Sequence, residues 1–394
     1  MCEPSTSFSL HPPSVFFAPR CAEGQRLCAS SFFVPGNPAS VRFGLAVLFV
    51  LSMCGCIMDD PTAGPATNAS LGDTCAGVPR HAAASCEVAV GSNGKPLLAV
   101  RDLRISAAQP ANAASASVFA SPTIDVVIDG FELRGHRAGV YIQPGQCLTC
   151  NVTLRNGILV GPEVDAGGSM TPFAGVFLSP MSGAYQGTIT LENVTIAGFG
   201  DGVVFLGGIL GGEAKSGHLV VRDVDVACGD HGIQALAAVD VKVEGLSATG
   251  CSHAGAWIAA DSATLSDVQV SKSATGLLLD AAVTAHDIEA TDNREVGVDI
   301  RSGDVTMTSC KLVGNGNGVS ANAFGPTIII HDCSIADNGT YGVTAVSNDG
   351  QVDVTGNWWG SPLGPAVHPA ARVAGFGNAV FPTASFYPFL TTPP

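Results

Sequence analysis

Four sets of side chains in this chain have the types and spacing for chemistry. Asp280 falls about one repeat before Asp299 and Arg301, so two carboxylates and a guanidinium meet. Such a set can bind a cation or simply pair as surface ions, and the ion pair is the plainer reading. In Cys228-Gly229-Asp230-His231-Gly232, Asp230 and His231 offer a carboxylate and an imidazole for acid and base work. No second and third Asp stand at matching positions in the neighbouring repeats, and glycoside hydrolysis needs carboxylates on both sides of the scissile bond. His253 lies one repeat beyond His231, but two imidazoles fall short of a metal's three or four protein ligands, so no metal site is expected. Tyr141, Phe177 and Trp257 supply rings on which sugars stack, although loops of the chain packing on those rings is the simpler expectation. Finally, Cys75 and Cys86, Cys147 and Cys150, Cys228 and Cys251, and Cys310 and Cys333 fall into neighbouring pairs.

These residues need a scaffold that stacks them, and the sequence supplies one. From Val283 to Val343 a single unit repeats: a short apolar strand, a polar turn, a second apolar strand, another turn, then Gly and an aliphatic residue. The Gly can be followed as Gly139, Gly175, Gly202, Gly232, Gly255, Gly276, Gly297, Gly318 and Gly342, at separations of 21 to 36 residues. Repetition at this period means a solenoid. After each Gly the first and third residues are apolar (Val298 and Ile300, Val319 and Ala321, Val343 and Ala345) and the second is free to be polar, which is strand periodicity.

Aligning the repeats places Phe131, Val194, Val224, Leu246, Val268, Ile288, Cys310 and Cys333 in one inward column. A turn ladder of Asn193, Asp223, Asp267, Asp287 and Asp332 precedes them, where short polar side chains tolerate left-handed backbone. The outward row of the strand after the Gly reads Tyr141, Phe177, Val204, Gln234, Trp257, Leu278, Asp299, Ser320 and Thr344. Beside it a second row includes Asp280 and Arg301. Two enlarged turns, 161–174 and 207–217, project towards this face.

Composition narrows the partners. With 33 acidic against 18 basic residues, a net charge of −15 and no basic cluster, nucleic acid and anionic membrane surfaces are excluded. Residues 1–41 carry no periodicity, and the apolar run Phe43–Cys56 has the length of a signal h-region. Its end, Met53-Cys54-Gly55-Cys56, resembles a bacterial lipobox. That resemblance implies lipidation at Cys56 and attachment to the cell envelope, at the outer membrane or cell surface; the 42 residues before the apolar run are unusually long for a signal n-region, so translation is expected to start downstream of Met1. Losing Cys2, Cys21, Cys28 and Cys54 with the leader and lipidating Cys56 leaves eight cysteines, an even set consistent with four disulfides in an oxidising compartment. Cys310 and Cys333 can equally remain buried thiols.

The short strands, Asn/Asp/Gly turns and repeat length resemble the pectin-lyase-like family. The resemblance implies an all-β, right-handed parallel β-helix of about ten coils, three strands per coil, with N- and C-terminal caps. The ending Gly356-Asn-Trp-Trp-Gly-Ser-Pro-Leu-Gly-Pro365, with Gly375–Val380 and Phe386–Pro394, is similar to that of many secreted bacterial and archaeal β-helix proteins. The expected organisation is a leader at 1–56, a flexible tether at 57–74, an N-terminal cap at 75–122, coils at 123–360 and a C-terminal cap at 361–394. In this family the first-strand face usually holds the binding cleft. The expected role is therefore binding or structural, with glycan along Tyr141, Phe177 and Trp257 and no cofactor except a possible calcium ion. The alternatives are a polysaccharide lyase or glycoside hydrolase using Asp280, Asp299 and Arg301 or Asp230 and His231, and a scaffold or adhesin for protein partners.

Overall fold

The computed structural model describes residues 69–71, 75, 84–106, 116–144, 147–162, 173–179, 185–207, 215–321, 325–345, 351–367, 376–381 and 383–394. The leader, Cys56 and most of the tether and of the two enlarged turns lie outside them.

All the named elements are strands, and they form one hydrogen-bonded sheet that winds on itself as a parallel β-helix. Except for the hairpin Ser85–Val90 with Pro96–Ser106, every pairing between named strands is parallel. The middle of the solenoid is the most regular part. There His218–Thr249, Ala254–Ser271 and Thr275–Thr291 each run as nearly continuous strand around a whole coil.

The outward row comes out in the expected register. Tyr141 pairs with Phe177, Phe177 with Val204, Val204 with Gln234, and Gln234 with Trp257. The row continues through Leu278, Asp299, Ser320 and Thr344. Between its members the inward Val298, Ile300, Val319 and Val343 are fully buried. Each such aliphatic contributes roughly 1.5 to 3 kcal/mol by leaving water, so coils stabilise one another by stacking.

The recurring Gly follows from how closely neighbouring coils approach. A Cβ on Gly276 would collide with the carbonyl oxygen of Gly297, one coil away.

The expected turn ladder adopts left-handed backbone throughout, with φ between 49° and 56° at Asn193, Asp223, Asp267, Asp287 and Asp332. A second polar ladder runs inside. The Asn293 amide donates to Asn315 Oδ1 at 3.0 Å, the Asn315 amide to Asn338 Oδ1 at 2.9 Å, and the Asn338 amide to Asn378 Oδ1 at 2.9 Å. All four side chains are buried, so each oxygen meets a backbone donor that would otherwise go unpaired.

Several expectations need correction. Ala69–Leu71, within the stretch read as tether, pairs in parallel with Ala116–Ala120, so the first-strand column begins before the expected cap. Pro96–Ser106, assigned to the cap, already stacks on Asp125–Arg134. At the other end Gly377–Val380 pairs with Tyr341–Ala345, which continues the coils into the expected C-terminal cap. Only Trp359 of the tandem tryptophans is fully buried; Trp358 is half-buried and bridges to Ser334.

Disulfides join Cys75 to Cys86, Cys147 to Cys150 and Cys228 to Cys251, with Cα separations of 5.7, 5.5 and 5.0 Å. The fourth expected bridge is not formed. Cys310 and Cys333 stack in the inward column as free, buried thiols, and the Cys310 amide donates to Cys333 Sγ at 3.1 Å. The Cys333 amide in turn donates to Asn357 Oδ1 at 2.8 Å. The sulfur thus sits where an asparagine oxygen sits in the parallel ladder, facing a backbone donor rather than the other sulfur.

Candidate functional site

The first-strand face divides into an aromatic upper part and a polar middle. In the upper part Phe119 stacks on Tyr141 at 5.5 Å between ring centroids, Tyr141 lies 5.1 Å from Phe177, and Phe173 packs on Phe177 at 4.8 Å. Phe173 ends the first enlarged turn, so part of that turn does rest on the ring below it. Phe177 is 2% exposed and has no face open to a sugar. Tyr141 is half-buried between Phe119 and Phe177.

Trp257 differs. It is half-buried and its indole N–H donates to Asp280 Oδ2 at 3.4 Å, a long contact. On the other side it meets the His231 ring at 5.9 Å. One tryptophan therefore links the two groups of ionisable residues that the sequence singled out separately.

On the Asp280 side the ladder is irregular. Leu279 pairs with Ile300 but Asp280 pairs with Ser302, so Arg301 is an extra residue and does not share a rung with Asp280 as the sequence alignment had it. Such a bulge re-aims a side chain. Arg301 Nε donates to Asp299 Oδ2 at 3.0 Å, the ion pair expected as the plainer reading. Burial pushes the Asp280 carboxyl above its ordinary range, opposed by the Trp257 hydrogen bond and the nearby Arg301 charge. An open depression of about 490 Å³ lies here, lined by Lys215, Asp261, Asp280, Arg301, Ser302 and Asp304 among others. Lys215, from the end of the second enlarged turn, pairs with Asp261 at 2.8 Å.

On the His231 side, residues one and two before the repeating Gly stack from coil to coil. His231 Nδ1 lies 2.9 Å from Asp201 Oδ1, and the two residues share a rung. Asp230 contacts His253 Nδ1 through Oδ1, accepts from Ser252 Oγ at 2.7 Å, and lies 3.5 Å from His231 Nδ1 through Oδ2. The His231 and His253 rings stack nearly parallel at 5.2 Å. Partial burial raises the Asp230 carboxyl, but hydrogen bonds from Ser252 and His253 and the two histidine charges outweigh it and hold the group below its ordinary range. The Cys228–Cys251 disulfide joins the two turns just upstream of this cluster.

Asp201, Ser252 and the Asp230–His253 contact were missed at the level of sequence. The signal was present: Asp201 and His231 each precede their Gly by one residue, and Asp230 and His253 by two.

A family model described as a right-handed beta helix region matches residues 174–358. Among solved structures the chain is similar to the A-module of Azotobacter vinelandii mannuronan C-5 epimerase AlgE4. The identity is 16%, covering 77% of this chain and 91% of that one, at a TM-score of 0.43. It is also similar to the A-module of AlgE6 from the same organism, at 13% identity, covering 77% and 93%, with a TM-score of 0.32. No curated protein sequence matches it. The fold of this chain is a right-handed parallel β-helix.

Proposed function

We propose that the protein binds a polysaccharide along its first-strand face, with Trp257 as the stacking platform and Tyr141 as a second contact. One observation carries this reading: Trp257 is a half-buried ring on a regular outward row, bracketed by hydrogen-bonding groups, Asp280 on one side and His231 on the other. An apolar face ringed by polar partners suits the two surfaces of a sugar, C–H on the ring face and hydroxyls at the edge. The net charge of −15 and the carboxylates of the depression favour a neutral polymer over an uncomplexed polyuronate.

The test is retention of the protein on a panel of neutral and uronic-acid polysaccharides, with and without calcium, comparing wild type with Trp257→Ala and Tyr141→Ala. Loss of about tenfold or more in affinity on removing Trp257, about 1.4 kcal/mol, is the expected result. Unchanged retention in both variants contradicts it.

A second reading rests on a separate observation. The Asp280 carboxyl, raised by burial, lies against Trp257 and lines the depression beside the Asp299–Arg301 pair, which places an acid next to the ring proposed to hold the sugar. New reducing ends or unsaturated uronate in the same panel, lost in Asp280→Asn, would establish it. Neither binding nor products would leave the scaffold for protein partners.

The lipobox resemblance adds the location: the chain is held at the cell envelope by a lipid on Cys56. The mass of the mature N-terminal peptide tests this.

A further inference from the structure

We propose that Asp230, His231 and His253 form a binding site for a divalent transition metal of the zinc class. One ligand atom from each lies within 4.8 Å of the others, which makes this the only such three-residue group among the described residues. Two ligand atoms about 2.0 to 2.1 Å from a tetrahedral ion are about 3.3 Å apart, and Asp230 Oδ2 already lies 3.5 Å from His231 Nδ1. Small rotations of exposed side chains complete the approach, since the His253 side chain is 68% exposed and Asp230 41%.

The donor set decides the class of ion. Two imidazoles and one carboxylate match zinc, cobalt or nickel, whereas calcium and magnesium prefer oxygen donors alone. Three protein ligands leave a fourth position for water or a ligand.

The surroundings support a built site. His231 is itself only 9% exposed, and Asp201 Oδ1 lies 2.9 Å from the same Nδ1, so an ion bound there takes the place of the proton that the two now share. Ser252 Oγ holds Asp230 from the other side at 2.7 Å. The Cys228–Cys251 disulfide and the Arg294 hydrogen bond to the Ser252 carbonyl, at 3.0 Å, tie down the two turns that supply the ligands. Trp257 lies against His231, so an ion here would sit at the edge of the face proposed to bind glycan, although the site does not depend on that reading.

The experiment is equilibrium dialysis of the full, tag-free chain against Zn²⁺, Co²⁺ or Ca²⁺, followed by metal analysis and the visible spectrum of the Co²⁺ form. The site predicts one equivalent of Zn²⁺ or Co²⁺ that is lost in His253→Ala and Asp230→Asn. His286→Ala is the control, because His286 pairs with Asp287 at 2.9 Å at an exposed position on the strand Thr275–Thr291, and it should bind as wild type does. Circular dichroism shows whether each variant keeps its strands, and His253 is exposed enough to be replaced without loss of core. No bound Zn²⁺ or Co²⁺, binding unchanged in His253→Ala, or Ca²⁺ bound in preference at the same residues would each overturn the proposal. The glycan panel is read independently, so failure of one does not decide the other.

Discussion

At the scale of single residues, Asp280 illustrates how placement sets behaviour. Its carboxyl is raised by burial above an ordinary value of 3.8, so the native state holds the proton more tightly than the unfolded chain. The stability it contributes is therefore present at pH values below 3.8 and is lost as pH rises through the native value. Asp280→Asn removes that titration. Its melting temperature relative to wild type should rise between about pH 3 and pH 7, measured as paired thermal melts across the range. A difference that stays flat would show that Arg301 and Trp257 offset the burial fully, and one that falls as pH rises would show that they outweigh it. Gly157 makes the opposite kind of point, since it is the missing side chain that matters. It stands opposite Phe131 on neighbouring coils, and a Cβ there would enter the Phe131 ring. Gly157→Ala should cost about 1 to 3 kcal/mol in denaturant unfolding, and Phe131→Leu in the same chain should recover part of it. The inward column was legible at Phe131, Val194 and Val224; Gly157 was not, because a glycine carries no apolar signal to align.

At the scale of elements, the ladders decide how firmly coils are joined. Asn315 accepts from the Asn293 side chain at 2.9 Å and donates to the Ala290 carbonyl at 2.9 Å and to Asn338 Oδ1 at 3.1 Å, all away from water. Asn315→Ala strands several of these groups at once and should lower stability by about 2 kcal/mol or more, whereas a surface substitution such as Lys311→Ala should stay within about 0.5 kcal/mol. Urea unfolding of the two variants compares them directly. Strand order and facing were readable because alternation around each Gly gives a period of two with little ambiguity. The bulge at Arg301 was not readable, since the next Gly still falls on schedule and the extra residue is absorbed in the turn. The strand at Ala69–Leu71 was hidden for a related reason: a three-residue segment in a Pro- and Ala-rich context has too few side chains to show a pattern. Likewise the Cys310 and Cys333 stack was evident, but whether sulfur meets sulfur or a backbone amide depends on rotamers that spacing does not fix.

At the scale of the whole molecule, a solenoid of stacked coils behaves as a chain of neighbours, and its first-strand face is a line of stacked residues. That line changes character along its length, from the closed aromatic stack at Phe119, Tyr141 and Phe177 to the open, polar surroundings of Trp257. The candidate residues were legible in the sequence one at a time. Their convergence around Trp257 was not, because Asp280 approaches the indole diagonally across coils and no linear spacing encodes that contact. The account turns on this tryptophan, and the most direct measurement is retention of the full chain on immobilised neutral polysaccharides beside its Trp257→Ala variant, with strand content checked by circular dichroism. The account predicts that wild type is retained and that the variant, equally folded, is released at about one tenth of the polymer affinity or less. Equal retention of the two, or no retention of wild type on any polymer in the panel, would contradict it.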